Sequence, residues 1–203
     1  MNEIIPLSPG HSLAVATLHM QYLTTPFRGA PGRRLLSAYY RTVAQGNGAI
    51  GYVAEEQGRV LGYICGVWAP EALRARLLRT QWLTLALWGP ASALRQPHLM
   101  VSLVGRFNTP AADRVETPLA PGYELRPIVV DSSARGTGLA ARLVQQLIRD
   151  ARARGFGEMY LYVETDNQVA QAFYRKMGFS TASHAQPNLG LATRLERPLS
   201  DDE

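Results

Sequence analysis

Several residue types are scarce in this sequence, and each scarcity narrows the classes of protein that it can encode. The single cysteine, Cys65, allows no disulfide within the chain and fits a reducing compartment. Cys65 lies in an apolar run, so we expect it in the core rather than as a nucleophile. The longest nearly uncharged apolar run, residues 82–94, is too short to span a bilayer, and the first residues do not form a signal peptide. We therefore expect a soluble, cytoplasmic protein.

Lysine is almost absent, since Lys176 is the only one and the other positive charges are arginines. The formal net charge is +5 and the sequence pI is near 9.7, which is compatible with nucleic-acid binding. The arginines are scattered, however, and no basic run exceeds Arg33-Arg34. We expect no nucleic-acid partner. His11 and His19 lack the spacing of metal ligands, so we expect them at the surface or at a helix cap, and no metal site.

The 203 residues are 46% hydrophobic and show no linker-like stretch, which predicts one domain over residues 1–203. Residues 13–23 and 33–43 have helical patterns, separated by a turn-rich loop, and the first pattern predicts that Leu13 is buried. Residues 51–68 predict a β-hairpin that turns at Gln57-Gly58.

A helical insertion is predicted at about residues 70–120, between this hairpin and the next strand. Residues 70–88 have a helical period that Gly89-Pro90 is expected to break. Trp82, Leu85 and Trp88 form an apolar stripe on that helix. The stripe is interpreted first as part of a helical cap packed on the sheet. A homodimer surface, the wall of a hydrophobic substrate site and a membrane-surface contact remain open as alternatives.

The segment Tyr123–Phe179 carries the strongest pattern in the chain. A β-branched run at its start is followed by a glycine turn, and then Leu139, Leu143, Leu147 and Ala151 recur every four residues. Residues 159–163 predict a second strand. A strand, a helix and a strand in close succession predict a crossover unit with parallel strands, so the sheet is mixed.

The turn from Arg135 to Ala140 has the features of an anion site. Its glycines let the backbone approach a ligand, while the first helical N–H groups and the helix dipole favour a negative group. The turn lacks the spacing of a dinucleotide-binding loop and of a P-loop. From the residues alone, a structural role for the glycines and a phosphate site are equally good interpretations.

A resemblance favours the phosphate site. Arg135, Gly138 and Ala140 match the acyl-CoA motif of the GNAT N-acetyltransferase superfamily, and Asn167–Phe179 matches its second motif, Asn-x-x-Ala-x-x-Phe-Tyr-x-x-x-Gly-Phe. The resemblance implies an α/β (α+β) GNAT fold: a mixed central sheet with antiparallel N-terminal strands, a βαβ acyl-CoA-binding unit flanked by helices, and the helical insertion. The cosubstrate implied is acetyl-CoA, with no metal, and the partner is an amine acceptor.

The resemblance also implies a role for each matching position. The pyrophosphate would contact the turn residues, and the pantetheine arm would pair with the first strand before a backbone N–H near Ile128 or Val129 polarises the thioester carbonyl. Asn167 would hold the arm or begin a helix, and Pro127 would mark a strand irregularity. The implied cofactor-binding residues are Ile128, Val129, Val130, Arg135, Gly136, Thr137, Gly138, Leu139, Ala140, Asn167 and Tyr174.

Two residues are candidates for proton transfer. Tyr174 resembles the family's general acid, which protonates the departing thiolate. Glu124 stands where several family members place a catalytic base, and a surface carboxylate or a water path is the alternative. Asp131 is expected to be a turn or cap residue.

The acceptor is not determined by these residues. A small amine, an amino sugar or an amino acid derivative is the first interpretation, and a protein, peptide or aminoacyl-tRNA amine is the second. A non-catalytic acyl-CoA sensor is an alternative from another class.

Overall fold

The computed structural model describes residues 2–25, 27–93, 122–181, 188–189 and 192–199. The strands are β1 (Glu3–Pro6), β2 (Ala49–Glu56), β3 (Arg59–Val67), β4 (Tyr123–Val130), β5 (Glu158–Glu164), β6 (Ser180–Thr181), β7 (Asn188–Leu189) and β8 (Ala192–Pro198). The helices are α1 (Ser12–Tyr22), α2 (Gly29–Ala44), α3 (Pro70–Thr80), α4 (Trp82–Ala93), α5 (Leu139–Ala153) and α6 (Gln168–Lys176).

These strands form one mixed sheet in the order β1-β2-β3-β4-β5-β8-β6, and β7 pairs with β8. The pairs from β1 to β4 are antiparallel, whereas β4 and β5 are parallel. The predicted hairpin is β2–β3, and its turn residues Gln57 and Gly58 have φ values of 51° and 77°. Two successive positive φ angles match the twist of a two-residue hairpin. The predicted mixed α/β fold with a parallel crossover unit is confirmed.

Helices cover both faces of the sheet and bury two apolar clusters. On one face α5 buries the predicted stripe of Leu139, Leu143, Leu147 and Ala151 against strand residues such as Leu161. On the other face α1 and α2 pack on β2 and β3 around Tyr40 and Tyr63. Helix α5 and the two N-terminal helices, α1 and α2, therefore pack on opposite faces of the same sheet.

Three details of the helices differ from the expectations. Helix α2 begins at Gly29, inside the predicted loop. Pro31 is compatible with this start, because the first turn of a helix has no intrahelical partner for the N–H that proline lacks. The insertion breaks at Gln81, between α3 and α4, and α4 continues through Pro90. Leu13 is 54% exposed, because Val15 and Ala16 form the buried face of α1 instead.

The insertion is described only as far as residue 93. There α4 lies against α2, with the Arg34 guanidinium 4.9 Å from the centre of the Trp88 ring. Trp82 is 59% exposed. Residues 94–121, His184 and the C-terminal Ser200–Glu203 lie outside the described part of the chain.

His19 is half-buried and its ring contacts two core tyrosines, whereas a surface or helix-cap position was expected. Its Nδ1 lies 2.6 Å from the Tyr40 hydroxyl and 3.0 Å from the Tyr63 hydroxyl, which are 2.9 Å apart. Burial lowers the pKa of His19 to about 4, so the imidazole is neutral. The sequence contained no sign of this contact because its three residues lie on α1, α2 and β3.

Candidate functional site: a cleft between two parallel strands

The parallel strands β4 and β5 are paired only where they begin. Tyr123 lies opposite Met159 and Glu124 opposite Tyr160. Both strands are described along their whole length, and none of their later residues are paired with each other. On its other side β4 stays paired with β3 as far as Val130. The backbone of β4 from Leu125 to Val130 therefore presents an open edge towards β5, and an extended ligand can pair with such an edge.

A β-bulge lies at the start of this open edge. Ile64 of β3 lies opposite Ile128, whereas the next residue, Cys65, lies opposite Arg126, so Pro127 is the extra residue. Proline has no N–H to donate to a ladder, which suits it to the bulge position. The prediction that Pro127 marks an irregularity is confirmed.

The bulge changes which face of the sheet each side chain occupies. Before it, Leu125 packs on the α5 side; after it, Ile128 packs there and Val129 lies in the cluster of α1 and α2. Strand alternation without a bulge would have placed Ile128 on the same side as Glu124. The structure instead places Glu124 and Ile128 on opposite faces.

The turn after β4 forms an open backbone loop at the N-terminus of α5. Gly136 and Gly138 have φ values of 78° and 79°, which side chains other than glycine rarely adopt, and no atom lies within 4 Å of a Cβ built on either residue. Gly138 is the N-cap of α5, and the first helical hydrogen bond runs from Arg142 N to Gly138 O at 3.1 Å. The N–H groups of Leu139 and Ala140 belong to the first turn, which has no intrahelical acceptors. We call residues 135–140 the cradle.

The segment between β4 and the cradle is held by local contacts. Asp131 accepts hydrogen bonds from Ser133 N at 2.9 Å and from Ser133 Oγ at 2.5 Å, which confirms the expected capping role. The Tyr22 hydroxyl accepts from Ser132 N at 2.9 Å and donates to Ser132 Oγ at 3.0 Å. The Arg135 guanidinium stacks on the Tyr22 ring, with 4.8 Å between Cζ and the ring centre. The last turn of α1 therefore fixes both the turn and the only cation of the cradle.

Tyr174 of α6 has a buried ring and a hydroxyl without a protein partner. The residue is 8% exposed, and its ring packs edge-on against Phe173 and Phe179 at centroid distances of 5.2 and 5.8 Å. The hydroxyl makes no hydrogen bond with any residue that the structure describes. Burial raises the pKa of Tyr174 to about 12, so the phenol stays protonated. Tyr174 shares its apolar cluster with Leu139, and Ile128 and Val130 pack against that cluster.

Asn167 begins α6. Its side-chain oxygen accepts a hydrogen bond from Ala170 N at 3.0 Å. This is one of the two roles expected for it, the helix start. The capping leaves the side-chain NH₂ group of Asn167 available as a donor.

Glu124 lies on the opposite face, where β4 and β5 are still paired. Its Oε2 atom accepts from Arg126 Nε at 2.9 Å and lies 2.8 Å from Arg126 Nη2, while Oε1 makes no hydrogen bond with the described residues. Burial raises the pKa of the neighbouring Tyr39 and of Tyr160 to about 12. Burial alone would lower the pKa of Arg126, but Glu124 and Tyr39 raise it overall. Glu124 is thus a partly buried, paired carboxylate among neutral phenols.

Comparison with known proteins agrees with this geometry. The Acetyltransferase (GNAT) family model matches residues 103–179. A mycothiol acetyltransferase from Saccharomonospora viridis is 44% identical over 61 residues, which are 30% of this chain and 20% of that protein. The N-alpha-acetyltransferase RimI of Mycobacterium tuberculosis is 44% identical over 57 residues, 28% of this chain and 34% of that protein. This chain thus matches between a fifth and a third of these relatives' length.

Solved structures extend the likeness to the whole chain. The PaiA N-acetyltransferase from Thermoplasma acidophilum, solved in complex with coenzyme A, superposes with a TM-score of 0.61 at 12% identity, covering 98% of this chain and 99% of that one. The chain has the GNAT fold. The resemblance inferred from the two motifs is therefore confirmed.

Within this GNAT fold the structure brings together most of the residues that the motifs indicated, and it adds others. Ile128, Val130, the cradle and Tyr174 lie around the cleft on the α5 side, and Glu124 lies across the sheet from them. Sequence reasoning missed Tyr22, Tyr39, Arg126 and Tyr160. Arg126 had one available sign, since alternate residues of a strand share a face and Glu124 is two residues away. The three tyrosines are distant in sequence and had none.

Two negative observations apply to the described part of the chain. None of its helices has both the length and the apolar character needed to cross a bilayer. Its histidine, cysteine and acidic side chains nowhere form a group of three suited to a metal ion.

Proposed function

We propose that this chain is an acetyl-CoA-dependent N-acetyltransferase that transfers the acetyl group to a primary amine by direct attack. The separation of β4 from β5 after Glu124 and Tyr160 carries the proposal, because it leaves a strand edge open beside the cradle. An edge of this kind accepts an extended chain through main-chain hydrogen bonds. The relatives' printed names and the coenzyme A complex of the Thermoplasma protein support the same reaction.

The residues of the cradle fit the diphosphate part of acetyl-CoA. The positive φ angles and free space at Gly136 and Gly138 let the backbone N–H groups approach the diphosphate, and Arg135 adds a guanidinium. Val129 and Val130 would pair with the pantetheine arm, while a backbone N–H at Ile128 or Val129 would donate to the thioester carbonyl. Asn167 would use its free NH₂ group towards the arm. Bound acetyl-CoA supplies an activated acetyl thioester.

Tyr174 would donate its proton to the sulfur that leaves. A phenol with a pKa of about 12 transfers a proton unfavourably to an aqueous thiolate, whose conjugate acid has a pKa of about 8.5. A thiolate released into the same apolar cluster loses its hydration, which raises the pKa of its conjugate acid and reduces the mismatch. The proposed step therefore depends on a dry site, to which the buried ring of Tyr174 contributes an apolar wall.

The test of this role is Tyr174→Phe, with Tyr52→Phe as the matched control. Both tyrosines are 8% exposed, but the Tyr52 hydroxyl donates to Asp150 at 3.1 Å. We expect kcat to fall about 100-fold or more in Tyr174→Phe, with little change in acetyl-CoA affinity. The control should keep its turnover and lose about 1 kcal/mol of unfolding free energy. Steady-state kinetics and urea unfolding measure both.

The pH profile gives a second check on Tyr174. Because its pKa is raised to about 12, the proton is lost only as the pH rises through that value. The wild-type kcat should therefore not decline near pH 10, where an ordinary tyrosine ionises. Unchanged turnover of Tyr174→Phe at every pH contradicts the assignment.

Glu124 would accept the amine proton, directly or through water, at its free Oε1 atom. The ion pair with Arg126 fixes the carboxylate where β4 leaves β5. Glu124→Gln should slow the reaction at neutral pH, with partial recovery at high pH as more of the amine is deprotonated in solution. Glu71→Gln, the same change on exposed α3, is the control. Equal activity of wild type and Glu124→Gln across pH leaves the water path as the explanation.

The acceptor we propose first is a small amine, such as an amino sugar or an amino acid derivative. Arg126 neutralises the charge of Glu124, but the free Oε1 atom and the phenols of Tyr39 and Tyr160 offer acceptors for the N–H groups of an amine. A peptide N-terminus is the second candidate, because one relative is named an N-alpha-acetyltransferase. The experiment is a panel of amines, peptides and aminoacyl-tRNA, scored by release of free thiol. Tight acetyl-CoA binding without turnover on any of them favours an acyl-CoA sensor instead.

A further inference from the structure

A basic cavity lies at the far end of α5 from the cradle. Its volume is about 350 Å³, and it is lined by the second half of α5, the end of α6 and one residue of β8. Buried Ile148 and half-buried Met177 contribute apolar surface. Small-molecule sites in proteins have volumes of about 300–1,000 Å³, so the cavity accommodates a small ligand.

Among the residues that the structure describes, the charged groups that line this cavity are all positive. They are Arg149 and Arg152 of α5, Lys176 of α6 and Arg197 of β8. Two of their contacts within the described chain go to neutral oxygens, from Arg149 Nη2 to Gln146 Oε1 at 2.7 Å and from Arg197 Nη1 to the Met177 carbonyl. The side chain of Lys176 makes no hydrogen bond or ion pair with any described residue.

Arg152 and Arg197 have further partners of their own. Positive side chains gathered at one cavity nevertheless raise the local concentration of anions. Three of them are arginines, whose forked donors suit phosphate, and the lysine adds a compact charge. A single backbone loop with one arginine, such as the cradle, has far less side-chain charge. The arrangement therefore suits a ligand with a dianionic group.

The cavity is separate from the cradle. Gly138 caps the N-terminus of α5 and Arg152 is in its last turn, so the two lie about 21 Å apart at 1.5 Å per residue. Arg197 lies opposite Met159, where β5 begins, whereas the cradle follows the end of β4. A ligand in the cavity and one in the cradle would thus occupy opposite ends of the same helix.

We propose that this cavity binds a small phosphorylated metabolite through a phosphomonoester, at a site distinct from the acetyl-CoA site. Arg149 and Lys176 hold the phosphate together with Arg152 and Arg197, and Ile148 and Met177 contact the organic part. Binding here requires no acetyl transfer, so it is measurable whether or not the proposed reaction is correct.

The test is calorimetric titration with ribose 5-phosphate, and with ribose as the uncharged control, in the presence and absence of saturating coenzyme A. The variant is R149Q/K176Q. The matched variant R79Q/R175Q removes two exposed charges from α3 and α6 outside the cavity, with the same change in net charge. Each protein is also titrated with D201N/D202N/E203Q added, because these carboxylates follow β8 in the sequence and are potential competitors for the cations.

For ribose 5-phosphate we expect a dissociation constant below about 1 mM at low salt, in the wild type or in D201N/D202N/E203Q. Added salt should weaken this binding, and coenzyme A should leave it unchanged. R149Q/K176Q should weaken binding about tenfold or more in the same background, while R79Q/R175Q should change it less than about twofold. Absence of binding in both backgrounds, equal loss in the two double variants, or displacement by coenzyme A would each overturn the proposal. Ribose should not bind.

Discussion

The two ends of helix α5 show opposite solutions to the same local problem, a helix terminus beside the sheet. At the N-terminal end the backbone turns through Gly136 and Gly138 into open space, and the N–H groups there have no intrahelical acceptor. At the C-terminal end the side of the helix that faces the sheet is closed, because the Asp150 carboxylate accepts hydrogen bonds from several protein donors. Asp150 accepts from Tyr123 at 2.8 Å, from Tyr52 at 3.1 Å and from Arg154 at 2.6 Å.

Aromatic packing closes the C-terminal end further. The Tyr123 ring stacks on Trp68 at 5.5 Å and meets Phe156 edge-on at 5.3 Å. The Arg154 guanidinium covers the Trp68 ring at 4.3 Å. Gly66 is in direct contact with the Tyr123 ring, so that a Cβ there would overlap it. The Asp150 side of the C-terminal end thus anchors the helix on the sheet, whereas the N-terminal end leaves its backbone N–H groups without intrahelical acceptors.

Glycines therefore serve different purposes in different parts of this chain. Gly138 faces open space, whereas Gly66 is required because no space is left beside the Tyr123 ring. Substitution at the open end should therefore affect binding, and substitution at the closed end should affect stability.

The largest effect is expected at the open end. Gly138→Glu places a side chain and a negative charge in the cradle, so acetyl-CoA affinity should fall about 100-fold or more, beyond calorimetric detection. Gly58→Glu is the matched control, because Gly58 has a φ of 77° and equally open surroundings in the hairpin turn. The control carries the same backbone strain and should bind acetyl-CoA like the wild type. If both variants lost binding alike, the cradle would not be the cofactor site.

The next effect is expected at the closed end. Gly66→Ala forces a methyl group against the Tyr123 ring and should lower the free energy of unfolding by about 1–3 kcal/mol, measured with urea. Gly157→Ala, where nothing lies within 4 Å of the added Cβ, is the control. Acetyl-CoA affinity should be unchanged in both. A Gly66→Ala protein as stable as the wild type would show that the Tyr123 ring is free to move.

The smallest effect is expected at the rim of the closed end. Arg154→Gln removes a stacked guanidinium and an ion pair that are both partly exposed, so about 0.5–1 kcal/mol of unfolding free energy should be lost, and less at high salt. Arg79→Gln on exposed α3 provides the baseline. A loss as large as that of Gly66→Ala would mean that Arg154, rather than the aromatic packing, anchors the helix.

Most of the fold that positions the site was predictable from local patterns. The hairpin turn at Gln57-Gly58, the buried stripe of α5 and the capping by Asp131 each depend on residues close in sequence. The bounds of α2 and the break at Gln81 were predicted wrongly, because proline is tolerated in a first helical turn and because α4 packs against α2 strongly enough to contain Pro90.

The candidate site was predictable in its list of residues but not in their arrangement. The two motifs indicated the cradle, Asn167 and Tyr174, since each motif is a short run with one local conformation. The position of Glu124 beside Tyr39 and Tyr160, the stacking of Arg135 on Tyr22 and the lack of a partner for the Tyr174 hydroxyl among the described residues depend on contacts between elements. Local propensity carries no information about those contacts.

The sequence by itself determined the glycine turn, the helix that follows it and the type of chemistry these can support, because φ preferences and helix ends are local properties. Only the tertiary structure decided where β4 parts from β5 and on which face Glu124 and Ile128 lie. The bulge at Pro127 is defined by the pairing of β4 with β3, which lies about 60 residues earlier in the chain. A shift of one residue in that pairing exchanges the two faces of the strand.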